Sequence, residues 1–476
     1  MREVVHPVHP AGVRDVVVVG GGSAGCALAG RLGARATLLE AGPVSLLPEL
    51  LDATSLAATA PDHPRNWAHD VLLRPGQSAV VPRGLGLGGS SAINGANWVR
   101  ATRAEAWGPG WTWDDLLPFY ERSERDDRHG TTGPVPVQRP AGDLLHPAAS
   151  RFCGAALRLG FPAEPDKNAG AAPGVGLVPS NSVDGVRISA AMAYLRDAVL
   201  LRADGSVLRP SNAGSAVGGP SVRGEAPVDR ILFDGDRARG VLLTSGEVVE
   251  AGEVVLAAGA VGTPRLLLRS GIGPGLRVDL PVGVDFTDHP AVFLPFVDAD
   301  PPAHPHAPGS QVALNWDAGA DPAGDVEVLA FVRPFSPGGP LHLMCALQHP
   351  DSRGLLTLDR IEYRYLRTEH DRRRLRHAIR TAAELLRAGV GTRVEPEGGV
   401  LGNDRTLDAW IADHLTTSVH LCGTAAIGRV VDPELRVLGV EGLRVADTSV
   451  LPTVPRRGPS ATAVAIGERA AELIGR

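Results

Sequence analysis

The sequence contains only four cysteines, and they are far apart. They are Cys26, Cys153, Cys345 and Cys422. Because no two of them form a Cys-x-x-Cys pair, the sequence predicts neither a metal site nor a disulfide framework. Long apolar runs are also missing: none approaches the roughly 18 residues that a membrane-spanning helix requires, and residues 1–15 lack the layout of a signal peptide. We therefore expect a cytoplasmic protein without a transmembrane segment.

Lysine is almost absent from the chain. Lys167 is the single lysine among 47 basic residues, and the arginines are dispersed instead of clustered beside aromatic residues. With a net charge of −6 as well, the sequence excludes nucleic-acid binding through a basic surface. At 476 residues the chain is long enough for more than one domain, because a domain usually takes roughly 100–200 residues.

Residues 15–42 read as a β-branched run, a glycine-rich turn, a helix of small residues and a second short strand. Gly20, Gly22 and Gly25 form a Gly-x-Gly-x-x-Gly motif, which permits a tight turn and a close approach of the backbone to a pyrophosphate. Glu40 follows 20 residues after Gly20, where its carboxylate can accept hydrogen bonds from ribose hydroxyls and would repel a 2′-phosphate. The segment predicts a site for NAD or FAD and disfavours NADP.

Three further segments carry local structural signals. Residues 82–100 are rich in glycine and contain two adjacent serines, which indicates a backbone that approaches another group closely. Residues 203–227 are rich in Gly, Ser, Pro and Ala, and we interpret them as a loop or linker. Residues 367–387 carry apolar side chains at helical spacing with arginines on the other face, which predicts an amphipathic helix with a solvated arginine face.

Several separated segments resemble one family, the glucose-methanol-choline (GMC) flavoenzymes. The two family signatures are similar to residues 87–95 and 259–273, and the nucleotide segment of the family ends like Glu40-Ala41-Gly42. Further family-like stretches are residues 110–124, 185–195, 288–290, 420–428 and 430–454. The match follows the family's order along most of the chain, which implies an FAD-dependent oxidoreductase that acts on CH–OH groups.

The resemblance implies an α/β fold, α+β overall. A Rossmann-type FAD-binding domain, discontinuous in sequence, would comprise residues 1–290 and 417–476, with the linker near 203–227. An inserted substrate-binding domain built on an antiparallel sheet would comprise residues 291–416. In members that bond FAD covalently, a histidine precedes the signature asparagine; Ile93 stands at that position, so the resemblance implies non-covalent FAD.

The resemblance also implies which residues hold the FAD. They come from separate segments of the chain, and Val228 would contact the adenine through its backbone. The residues are Gly20, Gly22, Ser23, Ala24, Gly25, Glu40, Ala41, Gly88, Gly89, Ser90, Asn94, Gly95, Val228, Ala258, Gly259, Asp447, Thr448 and Pro459.

Oxidation of an alcohol by flavin requires a group that takes or stabilises the hydroxyl proton while a hydride goes to flavin N5. By resemblance this group is His420, in a His-x-x-Gly-Thr motif; the alternative is a structural histidine. The family's second catalytic residue, usually Asn or His, falls at Gly458, so this partner is missing. Backbone N–H groups, Ser460 or a residue from elsewhere could substitute as hydrogen-bond donors.

The sequence leaves the substrate open. Residues 455–463 resemble the GMC subgroup associated with mycofactocin, a peptide-derived redox cofactor. This implies oxidation of reduced mycofactocin (mycofactocinol), with electrons passed to a respiratory acceptor and a peripheral position at the membrane. Arg456 and Arg457 are interpreted either as contacts for an acidic or carbonyl-rich substrate or as ordinary surface arginines.

Other functions stay open beside this one. The first alternative is a GMC oxidase or dehydrogenase for a small, sugar or aromatic alcohol, using O2 or quinone; of the two, we expect a dehydrogenase. A flavin-containing hydroxynitrile lyase, a flavin-binding protein without catalysis and an NAD dehydrogenase are the others.

Overall fold

The computed structural model describes residues 16–45, 47–196, 199–201, 207–209, 218–319 and 321–476. The strands are β1 (Val16–Val19), β2 (Ala36–Leu39), β3 (His69–Arg74), β4 (Gln77–Val81), β5 (Glu124–Arg125), β6 (Val135–Pro136), β7 (Val175–Leu177), β8 (Ser182–Val183), β9 (Val186–Arg187), β10 (Val199–Leu201), β11 (Val207–Arg209), β12 (Ser221–Arg223), β13 (Val228–Asp234), β14 (Arg237–Leu243), β15 (Val248–Glu250), β16 (Glu253–Leu256), β17 (Val284–Phe286), β18 (Pro290–Val297), β19 (Ser310–Trp316), β20 (Val326–Phe331), β21 (Leu341–Leu347), β22 (Gly354–Leu356), β23 (Ile361–Glu362), β24 (Thr392–Arg393), β25 (Thr416–Thr417) and β26 (Leu443–Val445). The helices are α1 (Ser23–Leu32), α2 (Pro48–Leu51), α3 (Trp113–Ser123), α4 (Pro147–Arg158), α5 (Ala190–Tyr194), α6 (Gly259–Arg269), α7 (Glu369–Leu385), α8 (Gly398–Leu401), α9 (Asp404–His414) and α10 (Ser460–Gly475). No helix in these ranges is both long and apolar enough to cross a bilayer.

One large sheet is parallel apart from its edge strand β11, and its strand order is β11-β10-β12-β2-β1-β16-β26. β1 lies between β2 and β16, with Val17 opposite Thr37 and Val254. All four residues of β1 are buried valines, as is typical of a central parallel strand that is covered on both faces. α1 packs on β1 and β2, and β14 packs on β16.

The carboxyl ends of four parallel strands meet at one edge of this sheet. β1 is followed by Gly20, β2 by Glu40, β16 by Ala257 and β26 by Ala446. Ligands of open parallel sheets bind at the carboxyl ends of the strands. Segments from the beginning, middle and end of the chain therefore reach a single site.

The expected linker near residues 203–227 contains strands of this sheet. Of that segment the structure describes residues 207–209 and 218–227: β11 pairs with β10, and β12 lies between β10 and β2. Val222 in β12 is fully buried. The linker interpretation is wrong for β11 and β12, because a strand of three residues leaves too short a pattern to stand out among Gly, Ser and Pro. Residues 218–220 and 224–227 lie outside strands and helices. The rest of the expected linker lies outside the described residues.

The second large sheet has the order β24-β18-β21-β20-β19-β7, and β25 pairs with β18. Its strands are antiparallel, as expected, although β7 comes from outside residues 291–416. Successive side chains point to opposite faces, and one face packs against α4 and α7. The opposite face, which we call the inner face, carries Ala291, Phe293, Ala313, Leu329, Phe331, Met344 and Ala346, packed with Val99 and Val178.

Two smaller sheets adjoin the large ones. The sheet β13-β14-β15 is antiparallel and packs against β16 and α6. The sheet β17-β22-β23-β3-β4 joins the hairpin of residues 69–81 to strands that lie far later in the chain. It links the segment before the first signature to the segment that leads into β18.

α7 confirms the helix predicted at residues 367–387, but its arginine face is not wholly solvated. Arg374 and Arg376 are buried. Arg374 forms ion pairs with Asp325 at 3.2 Å and with Asp371 at 2.6 Å. The expectation of a solvated face is wrong here because an acid from a neighbouring segment, which the helix sequence does not show, compensates the charge.

α10 returns the end of the chain to the parallel sheet by packing on α1. An ideal Cβ at Gly467 would lie 2.3 Å from the carbonyl oxygen of Ala24, so only glycine permits this approach. The buried carboxylate of Glu468 accepts hydrogen bonds from Arg31 at 2.8 Å and from the hydroxyl of Tyr194 at 2.6 Å. These contacts hold the middle of α10 against α1 and α5.

Candidate active site

The turn after β1 is shaped by its glycines. Gly20 has a φ of +107°, and an ideal Cβ at Gly25 would lie 1.9 Å from the carbonyl oxygen of Gly20. At Gly22 the nearest atom to an added Cβ is 4.0 Å away, so this glycine faces open space. No side chain caps α1, whose first turn contains Ser23 and Ala24, and an uncapped helix N-terminus suits a phosphate group.

Glu40 lies at the end of β2, beside this turn. Its carboxylate accepts backbone N–H bonds from Gly21 at 2.7 Å, Gly42 at 2.8 Å and Gly86 at 3.1 Å. Burial raises the pKa of Glu40, and these N–H groups act in the opposite direction. Ala41 follows in the same loop. The carboxylate therefore ties the nucleotide turn to the first signature segment.

The first signature segment packs directly on the nucleotide turn. Gly88 and Gly89 have φ values of +91° and +50°. An ideal Cβ at Gly89 would lie 2.8 Å from Cα of Gly22, so the two loops touch backbone to backbone. Ser90 is exposed, and an added Cβ at Gly95 would meet no atom of the described residues within 4 Å. The segment combines close backbone contact with open space beside it.

The start of α10 meets the same segment. Nδ2 of Asn94 lies 3.4 Å from Oγ of Ser460, and Pro459 precedes the helix without capping it. Oδ1 of Asn94 accepts the N–H of Ala96 at 3.0 Å, which orients the amide. The uncapped N-terminus of α10 therefore lies beside the first signature.

Arg187 supports this segment, and we did not select it from the sequence. Its guanidinium donates to the carbonyl oxygens of Asn94 at 2.9 Å, Ala92 at 3.1 Å, Leu50 at 2.6 Å and Ser55 at 2.7 Å. Burial lowers the pKa of Arg187 to about 10. The one sequence signal for it was its place in a family-like stretch, since nothing local predicts four carbonyl partners.

Asp447, which follows β26, joins the second signature to the end of the chain. Its Oδ2 accepts the N–H of Gly259 at 2.9 Å and the hydroxyl of Thr263 at 2.6 Å, and burial raises its pKa. Ala258 precedes α6 without a side-chain cap, and an added Cβ at Gly259 would meet no described atom within 4 Å. The carbonyl oxygen of Thr448 accepts a backbone hydrogen bond from the segment that carries the candidate catalytic histidine.

Val228 lies at the start of β13, and the chain just before it contacts the nucleotide end. Ala226 donates its N–H to the carbonyl oxygen of Glu40, and Glu225 donates its N–H to that of Gly42, both at 2.9 Å. The structure thus brings Val228 close to Glu40, although 188 residues separate them in sequence.

Three observations indicate that the residues at this edge of the sheet fit a dinucleotide. Two uncapped helix N-termini, those of α1 and α10, offer backbone donors. Glu40 offers a buried acceptor at the end of β2. Gly22, Gly95 and Gly259 border space that side chains at these positions would enter.

His420, which is partly buried, and His289, which is fully buried, form a pair at the other end of the site. Their Nδ1 atoms lie 3.0 Å apart, and their rings stand at 90°. Gly458 lies against the opposite edge of His420: an ideal Cβ would be 3.6 Å from Nε2 and would meet only this ring within 4 Å among the described residues. Ser460 is one of the groups proposed to substitute for the missing second catalytic side chain. It contacts Asn94 and not His420.

The imidazole of His420 is neutral at neutral pH. Burial, assisted by the positive charge of Arg83, lowers the pKa of His420 to about 3. Nη1 of Arg83 donates to the carbonyl oxygen of Val419 at 3.0 Å, which keeps the charge next to the histidine. Burial also lowers the pKa of His289, so neither ring carries a proton on both nitrogens.

Asp288 holds the two histidines together through their backbone. Its Oδ1 accepts the N–H of His289 at 2.6 Å and the N–H of His420 at 2.9 Å, and its Oδ2 accepts the hydroxyl of Thr417 at 3.0 Å. Burial raises the pKa of Asp288 to about 6. The family-like triplet of residues 288–290 was the one sequence signal for this group.

Arg456 and Arg457 are buried and paired with acids of the chain. Arg456 pairs with Glu105 at 2.9 Å and also with Asp321, and Arg457 lies 3.7 Å from Glu164. The interpretation as surface arginines is therefore wrong. Glu105 and Asp321 compensate the charge of Arg456, which argues against a role of this residue in binding an acidic substrate. Glu164, the acid nearest Arg457, also pairs with Lys167 at 2.5 Å.

The inner face of the antiparallel sheet leads to the histidine pair. His289 precedes β18 on the same side as Phe293, and Oγ of Ser418 lies 3.7 Å from Sδ of Met344. Phe293 contacts Phe331, with ring centroids 5.8 Å apart. The wall nearest the two imidazoles is therefore mainly apolar, which suits the carbon skeleton of an organic substrate.

A parallel sheet with a nucleotide turn at its carboxyl edge, joined to a neutral histidine pair under an apolar wall, defines a dinucleotide-dependent oxidoreductase. The family models described as GMC oxidoreductase match residues 14–291 and, for the C-terminal part, residues 347–467. The chain belongs to the GMC oxidoreductase family, whose members are FAD-binding oxidoreductases. The expected family and α/β fold are confirmed.

Known proteins resemble this chain along almost its whole length. An uncharacterized GMC-type oxidoreductase from the region 5′ of thcA in Rhodococcus erythropolis is 37% identical, over 97% of this chain and 98% of that protein. An oxygen-dependent choline dehydrogenase of Rhizobium etli is 31% identical, over 97% and 95%. Pyridoxine 4-oxidase from Mesorbium loti has a similar structure, with a TM-score of 0.84, 27% identity and coverage of 96% and 98%.

Proposed function

We propose that this chain binds FAD non-covalently and oxidises an alcohol to a carbonyl compound, with His420 accepting the hydroxyl proton. The observation that carries the proposal is the setting of His420: its ring is neutral, Nδ1 is engaged by His289, and Nε2 borders open space beside Gly458. A neutral imidazole with one nitrogen that is not hydrogen-bonded has a lone pair that can accept a proton.

Two similar proteins support an alcohol as the substrate. One is named as a choline dehydrogenase and the other as a pyridoxine 4-oxidase, and both names refer to an alcohol. The matches extend over 95% of the first protein and 98% of the second.

In this proposal FAD supplies the hydride acceptor, N5 of its flavin ring. The turn at Gly20, Gly22 and Gly25 and the start of α1 hold its pyrophosphate, because their backbone is close, open and uncapped. Glu40 accepts hydrogen bonds from its ribose, and the backbone at Val228 contacts its adenine. The uncapped start of α10, next to Asn94 and Ser460, provides donors for the flavin end.

Ile93 supports non-covalent binding of FAD. It stands where members with covalently bound FAD have a histidine, and its side chain is buried with Leu50 and Ala58. An alkyl side chain offers no nucleophile for a covalent link to a flavin.

We also propose that residues 291–416 form the substrate-binding part, inserted into an FAD-binding part of residues 1–290 and 417–476. Most strands of the antiparallel sheet lie within the insertion, and their inner face leads to His289. The inner face would contact the carbon skeleton of the substrate. The carboxyl ends of the strands of the parallel sheet, which come from distant parts of the sequence, would hold the cofactor.

Mycofactocinol is the particular substrate that we propose, with electrons passed to a respiratory acceptor. The support is the similarity of residues 455–463 to the mycofactocin-associated subgroup, together with the absence of a side chain at Gly458, which leaves room beside His420 for a bulky alcohol. The alternative is a smaller alcohol, oxidised with O2 or quinone as acceptor, and the names of the similar proteins support it.

Anaerobic addition of alcohols, mycofactocinol included, to the purified holoenzyme tests this function. We expect a yellow protein whose flavin absorbance is bleached by at least one alcohol. Release of FAD on denaturation would verify the non-covalent bond, and hydrogen peroxide formed under air would identify an oxidase. Flavin that stays oxidised with every alcohol would contradict the proposal and favour a lyase.

The variant His420→Ala tests the assigned base. It should keep its FAD and bleach about 10²–10⁴-fold more slowly, the usual contribution of positioned proton transfer. The control is His370→Ala, which removes a half-exposed histidine of α7 that pairs with Asp351 and should leave the rate unchanged. Equal rates for wild type and His420→Ala would remove His420 from the mechanism.

A further inference from the structure

A surface cleft of about 430 Å³ lies beside α9. Its apolar lining includes Tyr365, Leu366 and Ile411, which belong to the core that packs against α7. Because α7 covers the face of the antiparallel sheet opposite the inner face, the cleft lies on the other side of this sheet from the apolar wall of the proposed active site. Its volume falls within the roughly 300–1,000 Å³ that small-molecule pockets occupy.

Strand pairing brings two arginines together at this cleft. β3 and β23 are parallel, and the pairing continues beyond β23, since the N–H of Tyr365 donates to the carbonyl oxygen of Leu73 at 2.8 Å. Arg74 and Arg367 follow at the same end of these two neighbouring segments, and both line the cleft. Their positive charges therefore lie at one site although 293 residues separate them in sequence.

The other charged groups of the lining already have partners. Arg372 pairs with Glu369 at 2.8 Å and donates to the carbonyl oxygen of Leu366 at 2.9 Å. Asp408 is the one acid among the described lining residues, and both of its oxygens accept hydrogen bonds from Arg376 at 2.8 Å. The lining therefore offers no unpaired carboxylate to the first two arginines.

Arg74 and Arg367 have no ion pair within the part of the chain that the structure describes. Each guanidinium is a planar fork of N–H donors that matches the two oxygens of a carboxylate. A phosphate group has a third oxygen and a larger charge, for which the mainly apolar lining provides no further donor. The cleft thus combines two unpaired cations with apolar surface.

We propose that this cleft binds a small, soluble amphipathic anion, a carboxylate joined to an apolar body. The carboxylate accepts N–H bonds from Arg74 and Arg367, and the apolar body covers Tyr365, Leu366 and Ile411. Burial of the body's surface favours binding, and the two guanidinium groups select against a neutral ligand. This binding is independent of the proposed function, because it uses no residue of the FAD site or the alcohol site.

Isothermal titration calorimetry of the purified holoenzyme with octanoate tests this site. We expect saturable binding with a dissociation constant of about 1 mM or less. Octanamide keeps the apolar body without the charge, and acetate keeps the charge with almost no body, so each should bind at least about fivefold more weakly. The absence of saturable octanoate binding, or equal affinity for octanamide, would overturn the proposal.

Substitutions in the cleft locate the bound octanoate. Arg74→Gln and Arg367→Gln should each weaken binding about three- to tenfold, and Ala409→Trp, at an exposed position of the lining, should weaken it further by occupying the space. Arg373→Gln is the matched control, because it removes an exposed arginine of α7 that does not line the cleft. Thermal unfolding verifies that each variant is folded. An octanoate affinity that is the same in wild type and in all three cleft variants would place the ligand elsewhere and overturn the proposal.

Anionic vesicles distinguish a soluble ligand from a membrane surface, which also presents anions and apolar chains. Wild type and the double variant with Arg74→Gln and Arg367→Gln should sediment equally little with phosphatidylglycerol vesicles. Vesicle binding that the double variant loses would identify a lipid surface as the occupant and overturn the proposal of a soluble ligand. Bleaching of the flavin by alcohols is a separate measurement, so a failure of the proposed function would not change these results.

Discussion

The two ends of the proposed cofactor site are built from different parts of the polypeptide. At the nucleotide end, the backbone of Gly25 lies against Gly20 and that of Gly89 against Gly22, and the carboxylate of Glu40 accepts a hydrogen bond from the backbone of this turn. The proposed catalytic end is built from side-chain contacts. His420 is held by groups more than 100 residues away in sequence.

Because the two ends are built differently, we expect different kinds of substitution to impair them. The nucleotide end is sensitive to added volume, because a single Cβ would collide with backbone that cannot move aside. The catalytic end is sensitive to lost polarity, because Asp288 and the two histidines satisfy each other's hydrogen bonds.

The largest effect is expected from adding one carbon to the nucleotide turn. In Gly25→Ala the Cβ would lie 1.9 Å from the carbonyl oxygen of Gly20, so we expect a loss of about 3 kcal/mol or more in the free energy of unfolding of the FAD-free protein. In Gly22→Ala the Cβ has no neighbour closer than 4.0 Å, so this stability should change by less than about 0.5 kcal/mol. Denaturant unfolding of both variants measures the contrast.

Binding of FAD to Gly22→Ala completes that comparison. The added methyl group would enter the open space that we assign to the pyrophosphate, so FAD affinity should fall although the fold is intact. Titration of FAD into the apoprotein measures this. Wild-type affinity in Gly22→Ala would show that the pyrophosphate lies elsewhere.

A smaller effect is expected from restoring the missing side chain at the catalytic end. The space at Gly458 accommodates a Cβ at ordinary contact distance from His420. Gly458→Asn should therefore fold normally and raise kcat for a small alcohol by about tenfold, because its amide would add a hydrogen-bond donor for the substrate oxygen. Gly458→Ala adds the volume without the donor and is the matched control. Similar kcat values for the two variants would refute the explanation that the site lacks a hydrogen-bond donor for the substrate oxygen at position 458.

The smallest effect concerns pH and the charge of Arg83. The pKa of His420 is about 3 in the folded protein against 6.5 for a free histidine, so between these values the unfolded chain binds more protons and stability falls as the pH is lowered. Arg83→Met removes one cause of the low pKa. We expect the acidic limb of kcat/KM to move to higher pH and the acid-side loss of stability to become shallower.

Arg83→Lys is the control for this pH prediction, because it keeps the positive charge. Its pH profile of kcat/KM and its urea unfolding between pH 3 and 6.5 should follow wild type more closely than those of Arg83→Met. Identical profiles for Met and Lys would show that burial alone sets the pKa of His420.

Much of the fold and part of the site could be predicted before the structure. The glycine motif, its helix and Glu40 lie within 28 consecutive residues, where strand and helix patterns are local. The adjacency of His420 and Gly458 followed from the family's order of motifs, and the structure does place them side by side.

Other features were missed or misinterpreted because they depend on distant partners. Arg187 was not selected, because its partners are backbone carbonyl oxygens, and the amino-acid sequence does not show which carbonyl oxygens accept hydrogen bonds from a guanidinium. For Arg456 and Arg457 the surface alternative was wrong, because the acids near them lie far away in sequence. The strands within residues 207–223 were missed because each is only three residues long.

The sequence by itself determined where the backbone must turn tightly and which residue types stand there, since glycine conformation and strand or helix periodicity are local properties. Only the tertiary structure decided which groups surround His420, because His289, Asp288 and Gly458 come from separate segments that meet only in the folded chain. Hydrogen bonds between residues that lie more than 100 positions apart in sequence form only after the chain has folded.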